Sequence, residues 1–155
     1  MLVDSHCHLD YLERDGDLDE AIQRARNGGI RTMVTICTKV TEFSTVRAIA
    51  ERYDDVWCTV GIHPHDAANE PAVSTKQLVE LAQHPKVIGI GETGLDYYYE
   101  NSPHEDQKRS FRAHIAAARA TGLPLIVHTR DADEDTIEIL NNEYGNGAYP
   151  GLIHC

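Results

Sequence analysis

The sequence has no long hydrophobic run, although 41% of its 155 residues are apolar. No apolar stretch approaches the roughly 20 residues that a helix needs to cross a bilayer. The N-terminus has neither a basic region nor a long apolar segment, so it does not resemble a signal peptide. We therefore expect a cytoplasmic globular protein with no membrane partner.

Cysteines are few and are not paired along the sequence. Cys7, Cys37, Cys58 and Cys155 form no Cys-x-x-Cys motif. In a reducing compartment this scatter favours free thiols over a disulfide framework or a structural zinc site. Cys7 lies between two candidate metal ligands, but its side chain is expected on the opposite face of their strand. We expect none of the four to bind a metal.

Basic residues are too few for a broad nucleic-acid-binding surface. The chain has 14 Lys and Arg against 25 Asp and Glu, a net charge of −11. Proteins that bind nucleic acid through many phosphates are usually basic. The acidic balance leaves room for a small phosphate-processing pocket, because bound divalent cations can supply positive charge locally.

What the sequence does have is a regular alternation of strands and helices. Apolar runs predict six strands at 2–7, 32–36, 56–61, 87–91, 125–128 and 151–154. Five helices are predicted between them, beginning near Asp17, before Val46, near Ser74, at Ser102 and at Asp131. Asp17 with Glu20 and Ser102 with Glu105 have capping-box spacing. No linker or low-complexity tract interrupts the pattern, so residues 1–155 are interpreted as one domain.

Continuously apolar strands that alternate with helices imply a parallel sheet, either covered on both faces or closed into a barrel. In an open doubly wound sheet, two or three strands serve one site. Here candidate ligands follow more strands than that, and only a closed or nearly closed ring brings them together. We predict an α/β fold of the (β/α)8 TIM-barrel type. Since eight units take about 250 residues, the chain would form a single incomplete barrel domain with the first six strands and five helices, either the N-terminal portion of a longer protein or a short paralogue completed by another chain.

Several of the predicted strands end in a possible metal ligand. His6 and His8 are two apart on one strand, so both imidazoles should emerge on one face. Glu92 follows a glycine-rich apolar run, where a buried carboxylate is costly unless a cation pairs with it, and it could bridge two metal ions. His128 and His154 end the fifth and sixth strands. The alternatives are ordinary core histidines and an ion pair between Glu92 and Arg130.

The other histidines have different expected roles. His63 and His65 flank Pro64 after the third strand. They are interpreted as substrate contacts or as residues that contact the metal ligands, and not as metal ligands themselves. Three further histidines are expected at the surface, namely His84, His104 and His114.

Five ordered motifs resemble those of the TatD-type metal-dependent deoxyribonucleases, which belong to the amidohydrolase-like barrels. The motifs are DSHCHLD at 4–10, GIHPH at 61–65, GETGLDYY at 91–98, PLIVHTRDA at 124–132 and HC at 154–155. The resemblance implies that His6 and His8 bind one metal, that Glu92 bridges, and that His128 and His154 bind a second. The family has a further Asp ligand to which no residue of this chain corresponds, so this polypeptide is expected to be defective or inactive.

The predicted function is two-metal hydrolysis of a phosphodiester in DNA, at the 3′ end of a single strand, with Glu92 as the catalytic carboxylate. Histidine-rich ligation suits Zn²⁺, Mn²⁺, Co²⁺ or Ni²⁺ better than Mg²⁺, but the carboxylate ligand leaves Mg²⁺ as an alternative. His63, His65 and Arg130 could hold the scissile phosphate. The tyrosines at 97–99 could stack on bases, although packing at the rim of the site is the commoner role of loop tyrosines. The protein is expected to be a monomer or a weak oligomer.

Two alternative functions remain at this point. The same metal centre could hydrolyse an amide or ester, such as an aminoacyl ester on transfer RNA. A different class of function is a catalytically defective fragment that binds a metal or a partner.

Overall fold

Strands and helices alternate along residues 2–154, which are the part of the chain that the computed structural model describes. The strands are β1 (Leu2–Cys7), β2 (Ile30–Thr35), β3 (Val56–Val60), β4 (Val87–Asp96), β5 (Leu125–Arg130) and β6 (Gly151–His154). The helices are α1 (Leu9–Asp15), α2 (Leu18–Asn27), α3 (Phe43–Arg52), α4 (Thr75–Leu81), α5 (His104–Thr121) and α6 (Asp133–Tyr144). Short 3₁₀ turns lie at Val40–Glu42 and Pro64–Asp66.

The six strands form one parallel sheet in the order β1-β2-β3-β4-β5-β6. Although β1 and β6 are at opposite edges of this sheet, the rings of His6 and His154 stack with centroids 4.0 Å apart. The sheet is therefore curled into a half-barrel, and the carboxyl ends of its strands converge. This confirms the α/β fold of the TIM-barrel type.

The predicted helix starts are only partly correct. Ser74 caps α4 through the reciprocal capping box with Gln77. Asp17 precedes α2 but makes no side-chain cap hydrogen bond, so the box predicted with Glu20 does not form. The structure also has one helix more than predicted within residues 2–154, because the segment after His8 turns into α1.

Two other predicted caps are wrong. The hydroxyl of Ser102 donates to the carbonyl oxygen of His65 and accepts from the backbone N–H of Ala68, so it fastens the loop after β3 instead of capping α5. Asp131 has a positive φ of 52° and lies outside α6, whose N-cap is Ala132.

The strand β4 is longer than predicted and runs five residues past Gly91. Its added segment pairs with β5 from Thr93 opposite Val127 to Asp96 opposite Arg130. Nearer its start, a Cβ on Gly61 would lie 2.5 Å from the Cα of Gly91, so the main chains after β3 and within β4 touch directly. Glu92 therefore lies within a buried strand and not after it.

The core lies between the sheet and the helices around it. Fully buried side chains of α4 and α5, among them Leu78, Phe111 and Ile115, pack in one apolar cluster with the strand residues. His114 also lies on the buried face of α5, so its predicted surface position is wrong. Among residues 2–154, no helix is long and apolar enough to cross a membrane.

Candidate metal centre

The carboxyl ends of the strands enclose a pocket of about 350 Å³. Glu92 lines this pocket together with His6, His8, His63, His65, His128 and His154. The fold thus brings together every residue that the sequence proposed as a metal ligand and two of the three proposed as substrate contacts.

Glu92 lies at the centre of these side chains with only 2% of its surface exposed. Its Oε2 atom is 3.3 Å from Nε2 of His6. Its Oε1 atom is 3.1 Å from Nδ1 of His128 and 3.6 Å from Nε2 of His63, and it also contacts Nε2 of His154. Oε2 therefore faces His6, whereas Oε1 faces the other three imidazoles.

The electrostatics of the pocket favour an ionised Glu92. Burial alone would raise the pKa of Glu92, but hydrogen bonds from His128 and His6 and the charges of other histidines bring it far below its usual range. Burial lowers the pKa of His63 to about 3 and also lowers that of His8. The pKa of His128 is also lowered by burial, but hydrogen bonds to Glu92 and Asp96 make its net shift upward.

The donor atoms have the chemistry and the spacing of metal ligands. Two groups, His6–His8–Glu92 and His63–Glu92–His128, each have donor atoms that lie within 4.8 Å of one another. Imidazole and carboxylate donors suit divalent transition metals. The Nδ1 atom of His8 is also buried without a hydrogen-bond partner. The residues present therefore fit a metal centre.

The hydrogen bonds of His63 argue against its being a ligand in spite of its spacing. The backbone N–H of His65 donates to Nδ1 of His63. A neutral imidazole that accepts at Nδ1 carries its proton on Nε2, the atom that faces Glu92, and so has no free lone pair there. His154 contacts the same oxygen of Glu92 and is the better second partner for His128.

Asp96 is a buried carboxylate to which the sequence analysis gave no role. It is 1% exposed, and its Oδ2 atom accepts hydrogen bonds from Nε2 of His65 at 2.9 Å and from Nε2 of His128 at 3.0 Å. Burial raises its pKa, but hydrogen bonds from the Tyr99 backbone and both histidines lower it to about 2. The signal that was available is its spacing, since residues four apart on an extended strand share a face and β4 reaches Asp96.

Arg130 lies at the rim of the pocket and not over Glu92. Its guanidinium stacks on the rings of Tyr98 and Tyr99, 3.8 and 4.7 Å from their centroids. Both tyrosines are exposed, and the ring of Tyr99 meets His65 edge-on at 5.3 Å. Among the described residues Glu92 pairs with histidines and not with Arg130, so the alternative of an ion pair between them is wrong.

Tyr97 does not belong to this rim. Its ring stacks on His104 with centroids 3.6 Å apart, and its hydroxyl donates to Asp135 at 2.6 Å. It is therefore held on the α5–α6 side with one ring face covered by His104, apart from Tyr98 and Tyr99, whereas the sequence suggested that all three tyrosines could stack on a substrate.

The cysteines take no part in either group of possible ligands found among residues 2–154. Cys7, Cys37 and Cys58 are free, and burial raises the pKa of each thiol to about 12. Cys155, for which the same prediction was made, lies outside the described residues.

Comparison with known proteins identifies the family of this chain. The family model described as TatD related DNase matches residues 3–155. The chain belongs to this family. The resemblance drawn from the five motifs is thereby confirmed.

Among curated proteins, this TatD-family chain is 39% identical over 155 residues to the uncharacterized metal-dependent hydrolase YabD of Bacillus subtilis, covering 100% of this chain and 60% of YabD. It is 34% identical over 140 residues to the 3'-5' ssDNA/RNA exonuclease TatD of Shigella flexneri, covering 90% of this chain and 53% of that protein. The chain thus spans little more than half the length of the curated relatives it matches.

The fold agrees with solved structures of the same family. The crystal structure of YJJV, a TatD homolog from Escherichia coli, superposes with a TM-score of 0.83 at 28% identity, covering 92% of this chain and 56% of that one. The half-barrel described above is therefore the architecture of this part of TatD-type barrels.

Proposed function

We propose that residues 1–155 form one incomplete barrel domain of a divalent-metal-dependent hydrolase that cleaves phosphodiester bonds in DNA. The observation that carries the proposal is the buried position of Glu92, whose two oxygens face different histidines. A carboxylate placed in this way suits the bridging position between two metal ions. The family and the exonuclease name of one relative support the same reaction class.

The proposed ligand set is the one anticipated from the sequence. His6 and His8 would hold one ion, His128 and His154 the other, and Glu92 both. When bound, two divalent ions such as Zn²⁺, Mn²⁺, Co²⁺, Ni²⁺ or Mg²⁺ supply activation of water and stabilisation of charge on the phosphate oxygens. Buried Glu92 then serves as the fixed anion around which the pocket is organised.

The remaining polar groups of the pocket would bind the substrate. His63 presents a neutral N–H on Nε2 beside Glu92, which suits donation to a phosphate oxygen. His65 lies near the pocket mouth next to the exposed rim of Tyr98, Tyr99 and Arg130. Aromatic faces and a guanidinium stack on unpaired bases, and the acidic chain disfavours long duplex contacts. A short single-stranded end is therefore the proposed substrate.

Because residues 1–155 alone lack the further Asp ligand, turnover of a 3′-end-labelled single-stranded oligonucleotide by the complete barrel tests the proposal, with and without Mn²⁺ or Zn²⁺. We expect nucleotide release that a chelator abolishes and that Glu92→Gln lowers at least about 100-fold, since charge stabilisation by the metals amounts to several kcal/mol. The matched control is Glu80→Gln on the exposed face of α4, which should leave the rate unchanged.

Two results would contradict the proposal. Preferential turnover of an aminoacyl ester under the same conditions would replace the phosphodiester by the ester as the substrate. Stoichiometric metal uptake by the complete barrel with no turnover of either substrate would assign the protein to metal binding alone.

A further inference from the structure

The buried carboxylate of Asp96 connects three parts of the pocket that are far apart in the sequence. Its Oδ2 atom accepts from Nε2 of both His65 and His128, and its Oδ1 atom accepts from the backbone N–H groups of Tyr98 and Tyr99 at 3.0 and 3.1 Å. A proposed metal ligand, a proposed substrate contact and the tyrosine rim therefore all depend on one side chain.

The main chain of Asp96 is itself fixed by a buried amide. The side-chain oxygen of Gln107 on α5 accepts from the backbone N–H of Asp96 at 2.8 Å. The Gln107 amide nitrogen donates to the carbonyl oxygen of Asp96 at 3.0 Å and to that of Ser102 at 2.8 Å. Gln107 is fully buried. The carboxylate is therefore held in place from the helix side and has little freedom to follow a moving histidine.

The hydrogen bond to Asp96 decides which nitrogen of His128 is available to a metal. An ionised carboxylate only accepts, so the Nε2 atom of His128 must carry a proton. The opposite nitrogen, Nδ1, points at Glu92. With the proton on Nε2, the lone pair of Nδ1 is available to a metal ion, which would replace a second proton there. Carboxylates that fix metal-bound histidines in this manner are worth 10- to 100-fold in metal affinity.

We propose that Asp96 is the positioning residue that holds His128 in the Nδ1-ligating tautomer and links the second metal position to His65 and the rim. The inference rests on the proposed metal centre and adds to it a residue outside the ligand set. The competing explanation is that Asp96 merely stabilises the turn at Tyr98 and Tyr99, for which its Oδ1 atom alone would suffice.

Two substitutions separate these explanations. Asp96→Asn should disturb His128 at least as much as Asp96→Ala does, whereas Asp96→Ala should destabilise the fold more. In Asp96→Asn the amide oxygen can still accept from the Tyr98 and Tyr99 backbone, but an N–H₂ group faces Nε2 of His128. The histidine must then accept at Nε2 and carry its proton on Nδ1, the metal side. In Asp96→Ala the buried partner is lost entirely, yet nothing forces the wrong tautomer.

The experiment titrates the metal-free protein with Zn²⁺ and measures its unfolding by urea, for wild type, both variants and Asp55→Asn as a control. Asp55 pairs with Arg26 just before the start of β3, at the end of the strand opposite to the pocket, so its amide variant should bind Zn²⁺ normally. We expect Asp96→Asn to weaken the second Zn²⁺ equivalent by about 10- to 100-fold. This loss should be at least as large as that of Asp96→Ala, although Asp96→Asn is the more stable of the two.

The inference is overturned if the Zn²⁺ affinities rank in the same order as the stabilities, so that Asp96→Asn binds nearly as tightly as wild type and Asp96→Ala binds more weakly. That outcome would leave the proposed hydrolase intact. If wild-type protein takes up no second equivalent of Zn²⁺, the two-metal centre itself is wrong and the role of Asp96 fails with it.

Discussion

His114 should make the protein lose stability in mild acid. It lies wholly buried on α5, where its Nε2 atom accepts from the backbone N–H of Ile62 at 3.0 Å and its Nδ1 atom donates to the carbonyl oxygen of Ser110 at 2.7 Å. The neutral ring satisfies both partners, whereas an added proton on Nε2 would face another donor. Burial lowers the pKa of His114 to about 4.

The size of the effect follows from this pKa. The unfolded chain protonates His114 near its ordinary value of 6.5, and the folded protein does so only near about 4. The free energy of unfolding is therefore unaffected above pH 6.5, declines as the pH falls through this interval, and levels off below it. At about 1.4 kcal/mol per unit the total loss is about 3 kcal/mol, a large share of the stability of a small domain.

Urea unfolding of the metal-free protein at several pH values checks this, with His114→Gln as the comparison. The glutamine has its own cost at neutral pH, but it does not titrate. Between about pH 7 and about pH 4 the variant should therefore lose about 3 kcal/mol less than wild type. Because His8 and His63 are present in both proteins, their titration cancels in the difference. Equal losses in the two proteins would refute the reasoning.

Two further substitutions test the strand geometry and the rim. Gly94→Ala should lower the free energy of unfolding, measured by thermal unfolding, by at least about 3 kcal/mol, because φ is +139° and the new Cβ would overlap the carbonyl oxygen of His128. The control Gly16→Ala, at φ +81° in open space, should cost only about 1–2 kcal/mol. Similar costs for the two variants would mean that β4 and β5 can separate. Arg130→Ala should raise KM for a single-stranded oligonucleotide about tenfold with kcat and stability nearly unchanged, since it removes the guanidinium stacked on Tyr98; an unchanged KM would exclude this rim from substrate binding.

The sequence placed the candidate ligands in one pocket correctly because their positions depend on strand periodicity. Each apolar run indicated a strand, and parallel strands bring their carboxyl ends together, so His6, His128 and His154 could be placed in one pocket before their distances were known. The prediction for β4 stopped too early because Gly91 resembles the end of a strand. In the structure Gly94 instead allows β4 to continue against the main chain of His128.

What the sequence did not predict depends on partners that are distant along the chain. Asp96 bonds to His128, 32 residues away, and His114 bonds to Ile62, 52 residues away. Neither pairing leaves a local pattern, and a histidine on a helix with polar neighbours looks like a surface residue. Caps failed for a related reason, since Ser102 has a tertiary partner that its local spacing does not reveal.

The direct contact between Gly61 and Gly91 has a consequence for how this centre could change. The two glycines immediately precede the segments that carry His63 and Glu92, so main-chain contact sets the spacing of these segments, and exchanging one side chain for another cannot change it. If the proposed metal centre forms, a preference for a larger or a smaller ion must arise from the identity or protonation of the donor atoms, while the distance between the two segments stays the same.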